Sequence, residues 1–190
     1  MTLGLQQEWS MKFLLAAILA SAVLFSGMAQ AGQVDPAQVL YRVGNWEIYG
    51  QGPDYLDLGV GVFDANSHND TTTSGAARIE VRFGKKYFFL GPAIGLLANL
   101  DDGLFAYGGV YADFVYKRWV FTPLTSAGAY SRGDGADLGG TLQFRTSLSV
   151  AYQFKNLSRL GVSIAHMSNA NIYDQNPGEE EIYLVLAFPF

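Results

Sequence analysis

Leu142-Gln143-Phe144-Arg145-Thr146-Ser147-Leu148-Ser149-Val150-Ala151-Tyr152-Gln153-Phe154 is the stretch on which the fold turns. Leu142, Phe144, Leu148, Val150, Tyr152 and Phe154 fall on one parity, and Gln143, Arg145, Ser147, Ser149 and Gln153 on the other. Successive side chains of a strand point to opposite faces, so this run predicts a strand with one greasy and one polar face. The same alternation recurs along the chain. It appears in Leu56–Val62, Ile79–Phe83, Phe88–Leu96, Leu104–Tyr116, Trp119–Gly128, Val162–Ile164 and Ile182–Phe190, giving eight predicted strands and no long helical pattern after residue 54.

Composition decides which face is outside. Charged residues are 15% of the chain, against roughly a quarter in soluble domains, while 49% is hydrophobic and 14% aromatic. Between the apolar positions stand Gly, Ser, Gln and isolated charges (Asp57, Glu80, Arg82, Asp113, Arg145), too few to clothe a soluble outer surface. The inverse arrangement, apolar outside and polar inside, belongs to a transmembrane barrel, which must close so that no strand edge meets lipid. The predicted fold is therefore all-β: an eight-stranded antiparallel transmembrane β-barrel in the bacterial outer membrane. Trp46, Tyr107, Tyr111, Tyr116, Trp119 and Tyr152 are expected at its interfacial girdles. Gly84–Lys86, Lys117-Arg118 and Lys155–Ser158 read as short turns, alternating with the longer Asn66–Gly75, Asn99–Gly103, Tyr130–Asp137 and Asn169–Gly178. Short turns in the periplasm and longer loops outside place both termini of an even-stranded barrel in the periplasm. Phe190, with apolar residues at every second position behind it, is similar to the terminal signal of outer-membrane barrels.

The front of the chain fits this destination. Lys12, the apolar run Phe13–Phe25 and Ser26–Ala31 with its Ala29-x-Ala31 ending predict a secretory signal peptide over 1–31. Met11 offers an alternative start, which would make 1–10 a false upstream extension. Residues 32–53 form an N-terminal segment that reads equally as a periplasmic extension, a plug or an added strand, and 54–190 form the barrel. A chain without Cys has no disulfide framework, thiolate zinc site or cysteine nucleophile, and two His make a multi-histidine metal site improbable. The net charge of −5 argues against nucleic acid as a partner. No cofactor and no metal are expected. His68 sits in a polar loop and reads as solvated, and Gly133–Asp137 lacks the glutamate of a calcium loop and reads as a hairpin turn.

One constellation carries chemistry. His166 and Ser168 share a parity with Val162 and Ile164, hence the lipid-facing side. Counting back by twos from Phe190 reaches Ile182 and then Glu180, so facing strands bring Glu180 beside His166 on that same side. A bulge at the rim would substitute Glu179 or Glu181. A hydroxyl is a weak nucleophile until an imidazole takes its proton, and a carboxylate then holds the imidazole's tautomer. Asn169, next to the serine, is a candidate oxyanion donor.

At His166-Met167-Ser168-Asn169-Ala170, followed by Asn176, Gly178 and Glu180, the sequence resembles the lipid A 3-O-deacylases of the PagL type. The resemblance implies an eight-stranded outer-membrane barrel with Ser168 as nucleophile, His166 as base and Glu180 as the third member. It also implies oxyanion donors at Asn169, Ala170 and Asn171, and metal-free hydrolysis of the ester-linked 3-hydroxyacyl chain at position 3 of lipid A, the lipopolysaccharide partner in the outer leaflet. Where such sequences have Gly, this chain has Asn171, a residue that tolerates the left-handed backbone. The alternative function is a non-enzymatic small barrel serving surface interaction or envelope stability.

Overall fold

The computed structural model describes residues 34–66 and 73–190. The expected signal peptide (1–31) and His68 lie outside the described residues. The chain divides into Asp35–Pro189, which contains every strand, and a remainder of which only Val34 and Phe190 are described.

Eight strand positions close a barrel. They are β3 (Tyr55–Phe63), β4 (Ser74–Arg82), β5 (Gly91–Asn99), β6 (Leu104–Tyr111), β8 (Trp119–Ser131), β9 (Leu142–Gln153), β10 (Arg159–Ser168) and β11 (Glu179–Pro189). Each pairs antiparallel with the next, and β11 pairs back onto β3 with Leu184 opposite Val60, so no edge is left within the barrel wall. Closure satisfies the backbone polar groups that hydrocarbon cannot.

Three details depart from the sequence expectation. The fourth segment, read as continuous from Leu104 to Tyr116, is broken at Ala112, and β7 (Asp113–Tyr116) continues it. Beyond the break β7 exchanges its neighbour: β1 (Val39–Val43) and β2 (Trp46–Tyr49) form a hairpin whose second strand pairs β7, Trp46 opposite Tyr116. Much of the open segment 32–53 is thus additional strand. The third segment starts at Gly91 rather than Phe88, because Phe88 has φ 53° in a turn closed by Tyr87 and Leu90. The link from β4 to β5 therefore exceeds the short turn expected at Gly84–Lys86.

The inside is polar and paired. Arg78 bridges Asp57 and Glu80, Arg82 bridges the same two carboxylates, and Asp113 receives Lys86 at 3.2 Å and Arg159 at 3.1 Å. Each of these side chains is almost wholly shielded from solvent, where an unpartnered charge would cost several kcal/mol. The isolated charges noted in the sequence are thus mutually neutralising lumen filling, as eight strands require.

Tyr107 and Tyr111 are not girdle residues. Both are buried on the inner parity of β6, where Tyr107 Oη donates to Glu80 at 2.6 Å and Tyr111 Oη to the Phe83 carbonyl at 3.0 Å. The opposite strand makes room for them. A Cβ on Gly95 would lie 2.3 Å from the Tyr107 ring, and one on Gly91 would lie 2.5 Å from that of Tyr111. Trp46 and Trp119 do project outward; Trp46 packs on Tyr116 and Phe121, and Trp119 on Tyr152. Outside, Val60, Ile79, Ile94, Leu96, Leu148, Val162, Ile164, Ile182 and Leu184 form an exposed apolar band.

Candidate functional site

Strands β10 and β11 run in unbroken register, pairing Ile164 with Ile182, Ala165 with Glu181, His166 with Glu180 and Met167 with Glu179. No bulge intervenes, so parity assigns the three glutamates. Glu179 and Glu181 are buried inward, whereas Glu180 faces out beside His166. His166 Nδ1 lies 3.4 Å from Glu180 Oε1, both side chains being about half exposed (56% and 46%). Ser168 ends β10 on the same outward parity, two residues towards the long-loop end. Its hydroxyl makes no hydrogen bond to the imidazole in this structure. Such contacts often tighten only around substrate.

The turn after Ser168 is held from beneath. Asn169 is fully buried, and its side-chain amide donates to the Leu138 and Gln175 carbonyls, each at 2.7 Å. Its backbone N–H donates to Asn176 Oδ1 at 2.9 Å. In this arrangement the Asn169 donors tie the turn to neighbouring loops. Ala170 and Asn171 follow in left-handed backbone, φ 54° and 60°, and the Ile172 N–H closes the turn on the Asn169 carbonyl at 3.1 Å. The N–H groups of Ala170 and Asn171 are bonded to no other described residue. Adjacent amides in left-handed backbone make a nest for negative charge.

Asn171 therefore occupies a left-handed position that glycine would fill without strain. Asn171→Gly is expected to keep turnover within about twofold of the parent, whereas Asn171→Val, whose branched Cβ costs about 1–2 kcal/mol there, should lower it roughly tenfold. Initial rates of fatty acid release from lipid A check both.

Gly178, at φ 67°, closes the far side. A Cβ there would stand 2.9 Å from His166 Cε1, so the absent side chain is the space the imidazole occupies. Below the site, on the inner face, Arg145 pairs with Glu181 through three hydrogen bonds, Nε to Oε1 at 2.8 Å and to Oε2 at 3.1 Å, and Nη2 to Oε2 at 2.7 Å. The Asp64 N–H donates to Glu179 at 3.1 Å. Among the described residues no three His, Asp or Glu side chains converge on a metal-sized centre. Missed in the sequence was Thr146, which faces out directly opposite His166 on β9 and sits in the deciding stretch as its one polar residue of apolar parity.

The comparisons bear on what this site serves. A family profile described as lipid A 3-O-deacylase (PagL) matches residues 37–189. The chain belongs to the PagL family. It is accordingly an ester hydrolase of the outer membrane. The non-enzymatic reading falls away. Among solved structures, one described as the crystal structure of the outer membrane enzyme PagL is 20% identical with a TM-score of 0.53, covering 72% of this chain and 99% of its own. A de novo designed transmembrane β-barrel is 10% identical at the same TM-score of 0.53, covering 75% and 99%. At these identities both report the fold alone. No match emerges among curated proteins.

Proposed function

We propose that this PagL-family barrel hydrolyses the ester-linked 3-hydroxyacyl chain at position 3 of lipid A from within the outer leaflet. Ser168 serves as nucleophile, His166 as base and Glu180 as orienting carboxylate. The observation that supports this best is the His166–Glu180 pair, 3.4 Å apart on a lipid-facing wall. On a surface facing hydrocarbon, ionisable groups are costly and mark function. In this reading the long loops face the cell exterior and both termini the periplasm, which brings the site level with the outer leaflet.

The chemistry follows from the side each nitrogen takes. Nδ1–H donates to Glu180, leaving Nε2 to accept the Ser168 proton as Oγ bonds to the ester carbonyl carbon. The resulting oxyanion is received by the N–H groups of Ala170 and Asn171. Collapse breaks the bond to the sugar 3-oxygen, which leaves with the proton from His166. Water, deprotonated by the same nitrogen, then cleaves the acyl-serine to free 3-hydroxy fatty acid and restores Ser168. One oxyanion donor is commonly worth about 3–4 kcal/mol of barrier.

Mass spectrometry of lipid A incubated with the refolded full chain and a chelator tests the reading. The expected result is loss of one 3-hydroxyacyl chain with the matching free acid in the supernatant. Lipid A of unchanged mass at complete barrel folding overturns it.

A further inference from the structure

Outside the aromatic tips, only six outward positions of the eight barrel strands carry a polar side chain: Ser131, Thr125, Thr146, His166, Ser168 and Glu180. Four of these form an unbroken cross-strand row. Glu180 faces His166, His166 faces Thr146, and Thr146 faces Thr125, across β11, β10, β9 and β8. The row also descends. Glu180 is the second residue from the loop end of its strand, His166 the third, Thr146 the fifth and Thr125 the seventh. Below it the wall is apolar, with Leu148 opposite Ile164.

Neither threonine hydroxyl bonds to another described protein group, and both face lipid. Hydrocarbon offers no partner, so a hydroxyl there is satisfied only by a polar group that arrives with a lipid. For an acyl chain held by its carbonyl at Ser168 and descending between β9 and β10, the first polar side chain beyond His166 would be Thr146. Diagonal neighbours on facing strands are roughly 7–8 Å apart, a span met by the two carbons between an ester carbonyl and a 3-hydroxyl plus one hydrogen bond.

We infer that Thr146 recognises a hydroxyl on the acyl chain close to the scissile carbonyl, with Thr125 extending this polar track. The inference rests on the proposed deacylase reading and names its specificity. A site that hydrogen-bonds a substrate hydroxyl discriminates against the analogue lacking it, because its own polar group is then left unpaired. Thr146→Val removes the hydroxyl and keeps the branched shape.

The test compares kcat/KM of wild type, Thr146→Val and Thr146→Ser on two lipid A substrates that differ only in whether the position-3 chain carries the 3-hydroxyl. Wild type is expected to favour the hydroxylated chain by at least about tenfold. Thr146→Val should bring the two rates together, its loss falling about tenfold more heavily on the hydroxylated substrate, and Thr146→Ser should recover most of the difference. Heat-modifiable migration verifies folding of each variant. An equal loss on both substrates, an unchanged ratio, or a wild type without preference overturns the inference while the deacylase reading stands. Release of neither acid by folded wild type overturns that reading, and the inference with it.

Discussion

Ser168→Ala and His166→Ala are each expected to reduce release of 3-hydroxy fatty acid from lipid A by about 10³–10⁶-fold, with folding unaffected. The size follows from cooperation within a nucleophile–base unit: once either member is gone, the other gains nothing from remaining. Folding is spared because both side chains lie on the outside of a closed wall, His166 being 56% exposed, and neither takes part in the buried network. Glu180→Gln is expected to cost less, about 10²-fold. In the proposed triad its carboxylate orients and stabilises the imidazole rather than reacting, and at 46% exposure solvent would share that work. Glu179 and Glu181, one residue to either side, point into the barrel. Their loss would be read in stability rather than in a selective loss of turnover. Single-turnover release of acid, with band migration before and after heating as the folding control, separates these outcomes. Full activity of Ser168→Ala would remove the serine from the chemistry.

Much of this was legible in the sequence because lipid-facing strands impose period 2 with few exceptions. Counting parity back from Phe190 puts Glu180 on the face of His166, and the unbroken pairing of β10 with β11 then sets the two directly opposite. Parity failed where amphipathic residues can serve either face. Tyr107 and Tyr111 suit a membrane interface and a polar lumen equally, and what sends them inward is the space left by Gly95 and Gly91 on the neighbouring strand. The hairpin of β1 and β2 was hidden because its partner β7 lies beyond the break at Ala112, inside a segment whose alternation reads as continuous. The anchoring of the Asn169 side-chain amide was hidden for a related reason: its acceptors, Leu138 and Gln175, lie in loops whose approach no local spacing announces. Thr146 was passed over as a gap in an apolar series, although it faces His166 directly across β9 and β10.

Arg145→Met, inside the barrel, is expected to lower the barrel's stability by about 3–5 kcal/mol. Arg145 and Glu181 are both fully shielded, and the guanidinium grips the carboxylate through two nitrogens while its centre lies 5.6 Å from the middle of the Tyr107 ring. Removing the cation leaves Glu181 without its ion-pair partner and with Glu179 buried two residues away on the same inner parity. In water the pair would be worth little. Inside, the cost of breaking it is the stranded charge. Arg145→Met combined with Glu181→Leu removes both ions and is expected to recover most of the loss, because well-packed apolar replacements of a buried pair are often neutral. Arg145 stands opposite Met167 across β9 and β10, between the residues opposite His166 and Ser168. The double variant should therefore also regain turnover if the pair acts by fixing the strand register under the site. Urea midpoints from band migration, read beside acid release for both variants, decide this: a double variant as unstable as the single one would place the loss in packing around Tyr107 instead of in the uncompensated carboxylate.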